Sequence, residues 1–130
     1  MDVLSQLISD AGIAESMTEC HRRGTAARVS HGNEMRAASI NGSAWCNGIK
    51  GNCGCLHAEV RAVLSALRDG APQGQCELWV TLSPCTACAN LCVSSKLFKR
   101  VVYLRPLEHD LRGIDILRLA GIEVVKGDEA

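Results

Sequence analysis

From residue 57 to residue 125 the chain alternates helix-forming and strand-forming segments, and this alternation limits its fold more than any other feature. Residues 57–69 (HAEVRAVLSALRD) are strong helix formers and stop at Gly70, a residue suited to the position just past a helix end. Residues 78–82 (LWVTL) read as a short buried strand. Ser83-Pro84 opens the next helix, with Ser at the cap and Pro at the first helical position, and this helix runs to about Leu97. Residues 100–104 (RVVYL) form a strand, 111–120 (LRGIDILRLA) a helix and 122–125 (IEVV) a last strand. Strands separated by helices imply a largely parallel sheet with helices packed on it. The final strand–helix–strand unit makes its two strands parallel, joined by a right-handed crossover.

Ahead of this unit, Val3, Leu4, Leu7, Ile8 and Ala11 recur at helical spacing until Gly12 interrupts them. Residues 25–30 and 34–40 flank His31-Gly32-Asn33 and read as a hairpin with a Gly/Asn turn. Asn41-Gly42 then starts a loop rich in Gly, Asn and Cys that extends to about Leu56. No repeat, low-complexity tract or linker breaks the chain, so residues 1–130 are expected to form one domain.

A domain of this size buries about two-thirds of its unfolded surface and needs no disulfide framework, so its eight cysteines ask for another role. Met1-Asp2-Val3 carries an early acid and no apolar run follows, so no export signal is expected. No apolar run approaches the ~20 residues of a membrane span either. A reducing, cytoplasmic setting is the default, and there clustered cysteine reads as metal binding or catalysis. With 14 Lys+Arg against 14 Asp+Glu, the chain lacks the basic footprint of a nucleic-acid surface. Its four aromatics, Trp45, Trp79, Phe98 and Tyr103, leave little for stacking unpaired bases. Membrane and nucleic-acid polymer are thus disfavoured as partners, and a compact metal protein acting on a small molecule is expected.

Two segments carry the chemistry: His57-Ala58-Glu59 and Pro84-Cys85-Thr86-Ala87-Cys88, each at an expected helix start. Cys85 and Cys88 are three apart, so their sulfurs share one helical face. A helix N-terminus lowers thiol pKa and favours the thiolate that a metal needs. Two such helices side by side would bring His57, Cys85 and Cys88 together on a tetrahedral zinc. Three protein ligands leave a fourth position for water, the arrangement that supplies hydroxide at neutral pH. Glu59 is placed to take a proton from that water and return it to a substrate nitrogen. The rival readings of these residues are a closed structural zinc site, a redox CxxC pair, or a non-catalytic zinc-binding regulatory domain. A redox pair has no use for the His and Glu, and a structural site none for a proton-carrying carboxylate.

Together these segments form the H-x-E…P-C-x-x-C signature of zinc deaminases. The sequence further resembles the deoxycytidylate (dCMP) deaminase family of the cytidine deaminase superfamily. Arg22-Arg23 through Asn41-Gly42 aligns without a gap with that family's Arg-pair to Asn-Gly stretch, and Cys20 falls where the family often has Cys or Ser. TLSPCTACA (81–89) is nearly the family's own segment, and residues 100–124 resemble its strand–loop–helix–strand end. The likeness covers almost the whole chain after about Glu19. It implies a cytidine deaminase-like three-layer α/β/α sandwich with a five-stranded mixed sheet. It implies hydrolysis of dCMP to dUMP and ammonia, with Glu59 protonating N3 of the base and then the leaving amine. By the same resemblance Asn41 would contact the sugar-phosphate portion, the backbone around Ala58 would read the pyrimidine, and the Ser83 carbonyl would accept from the amino group. A 5-substituted dCMP, free cytidine or a tRNA adenosine are the alternative substrates. The family is commonly a homo-oligomer, often activated by dCTP and inhibited by dTTP. The chain departs from the pattern at Arg61, where the family has Asn, at Arg28, an expected apolar strand position, and at Ile40, where it has Tyr. Arg61 reads either as a bidentate phosphate ligand or as a solvated helix residue.

Of the other cysteines, Cys76 and Cys92 are expected as small buried hydrophobes. Cys46, Cys53 and Cys55 crowd one loop just before His57, and Cys20-His21 could fold back beside them. A second zinc on Cys20, Cys46, Cys53 and Cys55, or on three of these with His21, is one reading, and free thiols are the other. Binding a metal would order a loop that has no core of its own. His31 and His109 read as solvated, and Trp45 as a packing residue. Arg22, Arg23, Lys96 and the 104–110 loop are candidates for phosphate or subunit contacts.

Overall fold

The computed structural model describes residues 2–50 and 52–130. Helix α1 (Val3–Met17) is followed by the hairpin β1 (Ala26–His31) and β2 (Glu34–Ile40). Then come α2 (Ala58–Arg68), β3 (Cys76–Leu82), α3 (Thr86–Ser95), β4 (Phe98–Arg105), α4 (Arg112–Leu119) and β5 (Glu123–Lys126), with a closing 3-10 turn at Gly127–Glu129. The five strands form one mixed sheet in the order β2-β1-β3-β4-β5. β1 runs antiparallel to both β2 and β3, whereas β3, β4 and β5 are mutually parallel. The expected α/β/α layering and the parallel last pair are both present.

Helices α2, α3 and α4 pack beside one another along the sheet, α2 against the hairpin and α4 against β5, while α1 packs on β1, β3 and β4. Ala27 and Val29 of β1 stand opposite Val80 and Leu78 of β3, and all four are buried in the core with Ala62, Val63 and Ala66 of α2. Alternation turns the intervening Arg28, opposite Trp79, to the other face of the pleat. There its guanidinium meets Asp10 of α1 in a two-pronged ion pair at 3.0 and 3.2 Å. That pairing explains how a cation is accommodated at an apolar strand position: its partner is supplied from the facing helix. Gln6 of α1 also donates to Asp10, at 2.9 Å.

Several boundaries differ from the sequence expectation. α1 continues through Gly12 to Met17, because Ala11 and Ala14 extend its buried stripe past the glycine. Cys76 opens β3 rather than preceding it. Cys85, not Ser83, is the N-cap of α3, so Pro84 lies outside the helix. The same helix ends at Ser95, where Lys96 takes a left-handed conformation with φ of 58° and turns the chain toward β4. Trp45 is 88% exposed and packs nowhere in the core. No described helix is long and apolar enough to cross a membrane.

Candidate active site

The site forms where α2 and α3 begin. Each of these helices starts with a residue of a metal-binding type at its N-cap position: His57 for α2 and Cys85 for α3. β3 delivers the chain to this point and Ser83-Pro84 turns it into α3. Ser83 is locked there, its N–H donating to the Arg105 carbonyl at 2.9 Å and its hydroxyl accepting from the Leu107 N–H at 2.7 Å. The start of α3 is held from outside by Asp110. One carboxylate oxygen accepts from the Thr86 N–H at 2.7 Å and the other from the Thr86 hydroxyl at 2.8 Å. These bonds hold the Asp110 carboxyl below its usual range.

The imidazole Nδ1 of His57 lies 3.2 Å from the Cys88 sulfur and 3.7 Å from that of Cys85. The three donor atoms all fall within 4.8 Å of one another. One imidazole nitrogen and two sulfurs, on two helix starts, match the donor chemistry and number that a catalytic zinc uses, with one position left to water. The two thiols share a proton unequally. The hydrogen bond from Cys88, seconded by His57, pulls Cys85 down to about 4, and the same bond with burial pushes Cys88 up. The hydrogen bond to Cys85 also raises His57.

Glu59 lies on the first turn of α2, only 6% exposed, and lines the same cavity as His57 and Cys85. Burial raises its pKa, so its carboxyl binds a proton more readily than one in water. The cavity has a volume of about 740 Å³, within the range of small-molecule sites.

Of the expected substrate contacts, Asn41, Ser83 and Arg23 line this cavity. Asn41 is also a structural tie. Its carbonyl oxygen accepts from the Thr25 N–H and the Thr18 hydroxyl, and its amide donates to the Arg23 carbonyl. Ala58 is fully buried at the start of α2 and contributes nothing to the cavity wall. Arg61 is turned away from the cavity: its guanidinium donates to the Ile40 carbonyl at 3.1 Å and the Gly42 carbonyl at 2.7 Å. It clasps the end of β2, which is neither of the two roles expected for it.

A second group of donors stands beside the first. The sulfurs of Cys20, Cys46, Cys53 and Cys55 lie within 4.8 Å of one another, a four-thiol set without His21. The Cys46 sulfur accepts from the His21 N–H at 3.4 Å, a bond that lowers its pKa. Burial pushes Cys20 up, but N–H donors from Arg23 and Arg22 outweigh it and bring the thiol to about 7. Burial and the neighbouring thiols raise Cys55. Cys76 and Cys92 are fully buried, as expected of small hydrophobes. Lys50 and Asn52 also line the cavity, and sequence patterning did not single them out for it; His109, read as solvated, lines it too, within the 104–110 loop expected to meet phosphate or a subunit. They sit in loops, where no periodicity tells which way a side chain faces. Lys96 lies at the far end of α3, roughly 15 Å from the ligands by helical rise.

A mixed sheet that presents an imidazole, two thiols and a buried carboxyl at adjacent helix starts has the donor set of a zinc-binding domain with an acid–base group beside it. Residues 7–105 match the family model described as "Cytidine and deoxycytidylate deaminase zinc-binding region", and the chain belongs to that family. It is 37% identical over 107 residues to the deoxycytidylate deaminase of Enterobacteria phage T2, covering 82% of this chain and 52% of the phage protein. To the deoxycytidylate deaminase of Enterobacteria phage T4 it is 43% identical over 70 residues, 53% of this chain and 36% of that protein. The chain therefore spans about half, or less, of the length of these relatives. The dCMP deaminase of the cyanophage S-TIM5, solved in complex with dCMP and dUMP, superposes with a TM-score of 0.76 at 26% identity, covering 94% of this chain and 93% of that one.

Proposed function

We propose that the chain hydrolyses dCMP to dUMP and ammonia, with Glu59 as its proton carrier. The observation that carries this reading is a buried carboxyl opening into the same cavity as His57 and Cys85. His57, Cys85 and Cys88 would hold the zinc, which when bound supplies a Lewis acid that makes hydroxide available from water at neutral pH. Glu59 accepts the proton this water loses. It passes that proton to N3 of the base as the hydroxide adds to C4, then takes the proton of the added hydroxyl and delivers it to the amine, which leaves as ammonia as the C4 carbonyl forms. Ser83 and Asn41 are assigned to the substrate, and Arg23 to its charged end. The names of the phage T2 and T4 relatives, and the nucleotides bound to the cyanophage enzyme, support a cytosine mononucleotide over the alternative substrates.

The four-thiol set is assigned to a second, structural zinc, for which four cysteine thiolates are a standard donor set. Eight free cysteines favour a reducing, cytoplasmic setting. Exposed Leu64 and Leu67 on α2 favour a homo-oligomer, which light scattering would report as a mass above one chain.

The test is loss of cytosine absorbance on a panel of dCMP, CMP, cytidine and dCTP, with dCTP and dTTP also added as effectors of dCMP turnover. dCMP is expected to be consumed fastest. No change with any of the four would instead support a non-catalytic metal domain.

A further inference from the structure

The two metal-type clusters share one cavity. Cys20, Cys53 and Cys55 of the four-thiol set line the same space as His57, Glu59 and Cys85. The four thiols come from two segments, residues 18–25 and 41–57, whose described residues form no helix or strand. Those segments also carry the cations of the cavity wall: Arg22 and Arg23 on one, Lys50 on the other. Glu59, the sole carboxylate among the lining residues, is buried. Among the described residues no carboxylate pairs with Arg22, Arg23 or Lys50. In a chain with zero net charge, three cations lining one cavity are a local concentration of positive charge.

What holds these cations in place is sparse. The Asn41 amide fixes the Arg23 carbonyl, and the Cys46 sulfur fixes the His21 N–H. The 41–57 segment is closed by the bridge between Gly42 and Leu56. Residues 44, 45, 47–50 and 52 are all exposed, so little packing restrains the segment between Gly42 and Cys53. The convergence of the four sulfurs adds to the Asn41–Arg23 and Cys46–His21 hydrogen bonds in tying Lys50's segment to that of Arg22 and Arg23.

We infer that the four-thiol centre is a clamp for substrate recognition: closing it on a metal sets Lys50 opposite Arg22 and Arg23 as a grip for the nucleotide's phosphate. This rests on the deaminase reading above and adds to it a division of labour. One cluster serves the reaction at the base, and the other selects for the phosphate. The residues acting on phosphate are Arg22, Arg23 and Lys50, and the cysteines act only through them.

The experiment compares wild type, Lys50→Ala and Cys53→Ser. Each is assayed for zinc per chain and for the ratio of kcat/KM on dCMP to that on deoxycytidine, which lacks only the phosphate. A Glu59→Ala background adds a binding readout, the dissociation constants of the two ligands by calorimetry. Lys50→Ala should keep two zinc ions and lower the dCMP preference by about tenfold, as for one charge-assisted hydrogen bond. Cys53→Ser should lose one zinc and lower the preference at least as far, with dCMP binding weakened and deoxycytidine binding little changed. Equal losses on both ligands in Cys53→Ser would reduce the centre to a general structural role and overturn the proposal. An unaltered preference in Lys50→Ala would overturn it as well, and this surface substitution keeps the test decisive if Cys53→Ser fails to fold. Absence of turnover in the wild type, with phosphate-selective binding intact, would count against the deaminase reading and leave the clamp standing.

Discussion

Glu59 owes its chemistry to its surroundings more than to its type. A carboxyl on an exposed first turn would be ionised and would stabilise the helix dipole; here burial raises its affinity for a proton beside the ligating groups. Glu59→Ala should therefore retain zinc, measured by metal analysis, and lose turnover by roughly 10²–10⁴-fold, the contribution typical of a positioned acid–base group. Arg61 gives the contrasting case. Its two charge-assisted bonds to the Ile40 and Gly42 carbonyls predict that Arg61→Ala lowers stability by about 2 kcal/mol in denaturant titration, mainly by freeing the end of β2. The Arg28–Asp10 pair, largely shielded from solvent, should be more sensitive: Arg28→Ala leaves a carboxylate uncompensated and is expected to cost about 3 kcal/mol. The candidates His57, Glu59, Cys85 and Cys88 could be picked out from the sequence because spacing and helix position bring them to one place. The roles of Arg61 and Arg28 could not, since their partners lie 21, 19 and 18 residues away.

At the scale of the element, the start of α3 is built by neighbours it meets only after folding. Ser83 and Pro84 look like a cap and first residue, yet Ser83 is held by the chain after β4 and the cap falls to Cys85. Asp110 supplies the capping carboxylate from a loop 24 residues on. Because the fold holds this carboxyl below its ordinary value of 3.8, its contribution is present above that value and fades as pH falls through the lower, folded one. Asp110→Asn should accordingly lower the melting temperature at pH 7, with the difference from wild type shrinking toward zero in scans below pH 3.8. Gly113 meets the same turn from α4, where an added Cβ would overlap the Pro84 carbonyl oxygen. Gly113→Ala is expected to push α4 off the turn and cost about 2 kcal/mol, in the range of core overpacking, with zinc affinity weakened in parallel. The helix and strand types were readable because each segment carries its own period. Their ends moved by one to several residues, as at Gly12 and Ser95, where packing or a left-handed residue settled the boundary.

Across the whole molecule, the sheet and its three neighbouring helices form a core that does not involve the 43–55 loop. That loop carries three of the four converging thiols. Chelation of a holoprotein with two zinc ions per chain should open residues 43–55 to proteolysis before the sheet unfolds, a difference limited digestion would display as an early cut in this segment. The sequence by itself determined the alternating α/β architecture and marked His57, Glu59, Cys85 and Cys88 as candidates, because these depend on hydrophobic period and on residues three or fewer apart at each of two helix starts. Only the tertiary structure decided that four cysteines from two distant segments converge, that Arg61 serves the scaffold, and that Lys50 shares a cavity with Glu59. Loops carry no period, and which of their side chains meet is settled by where the sheet and helices place their ends.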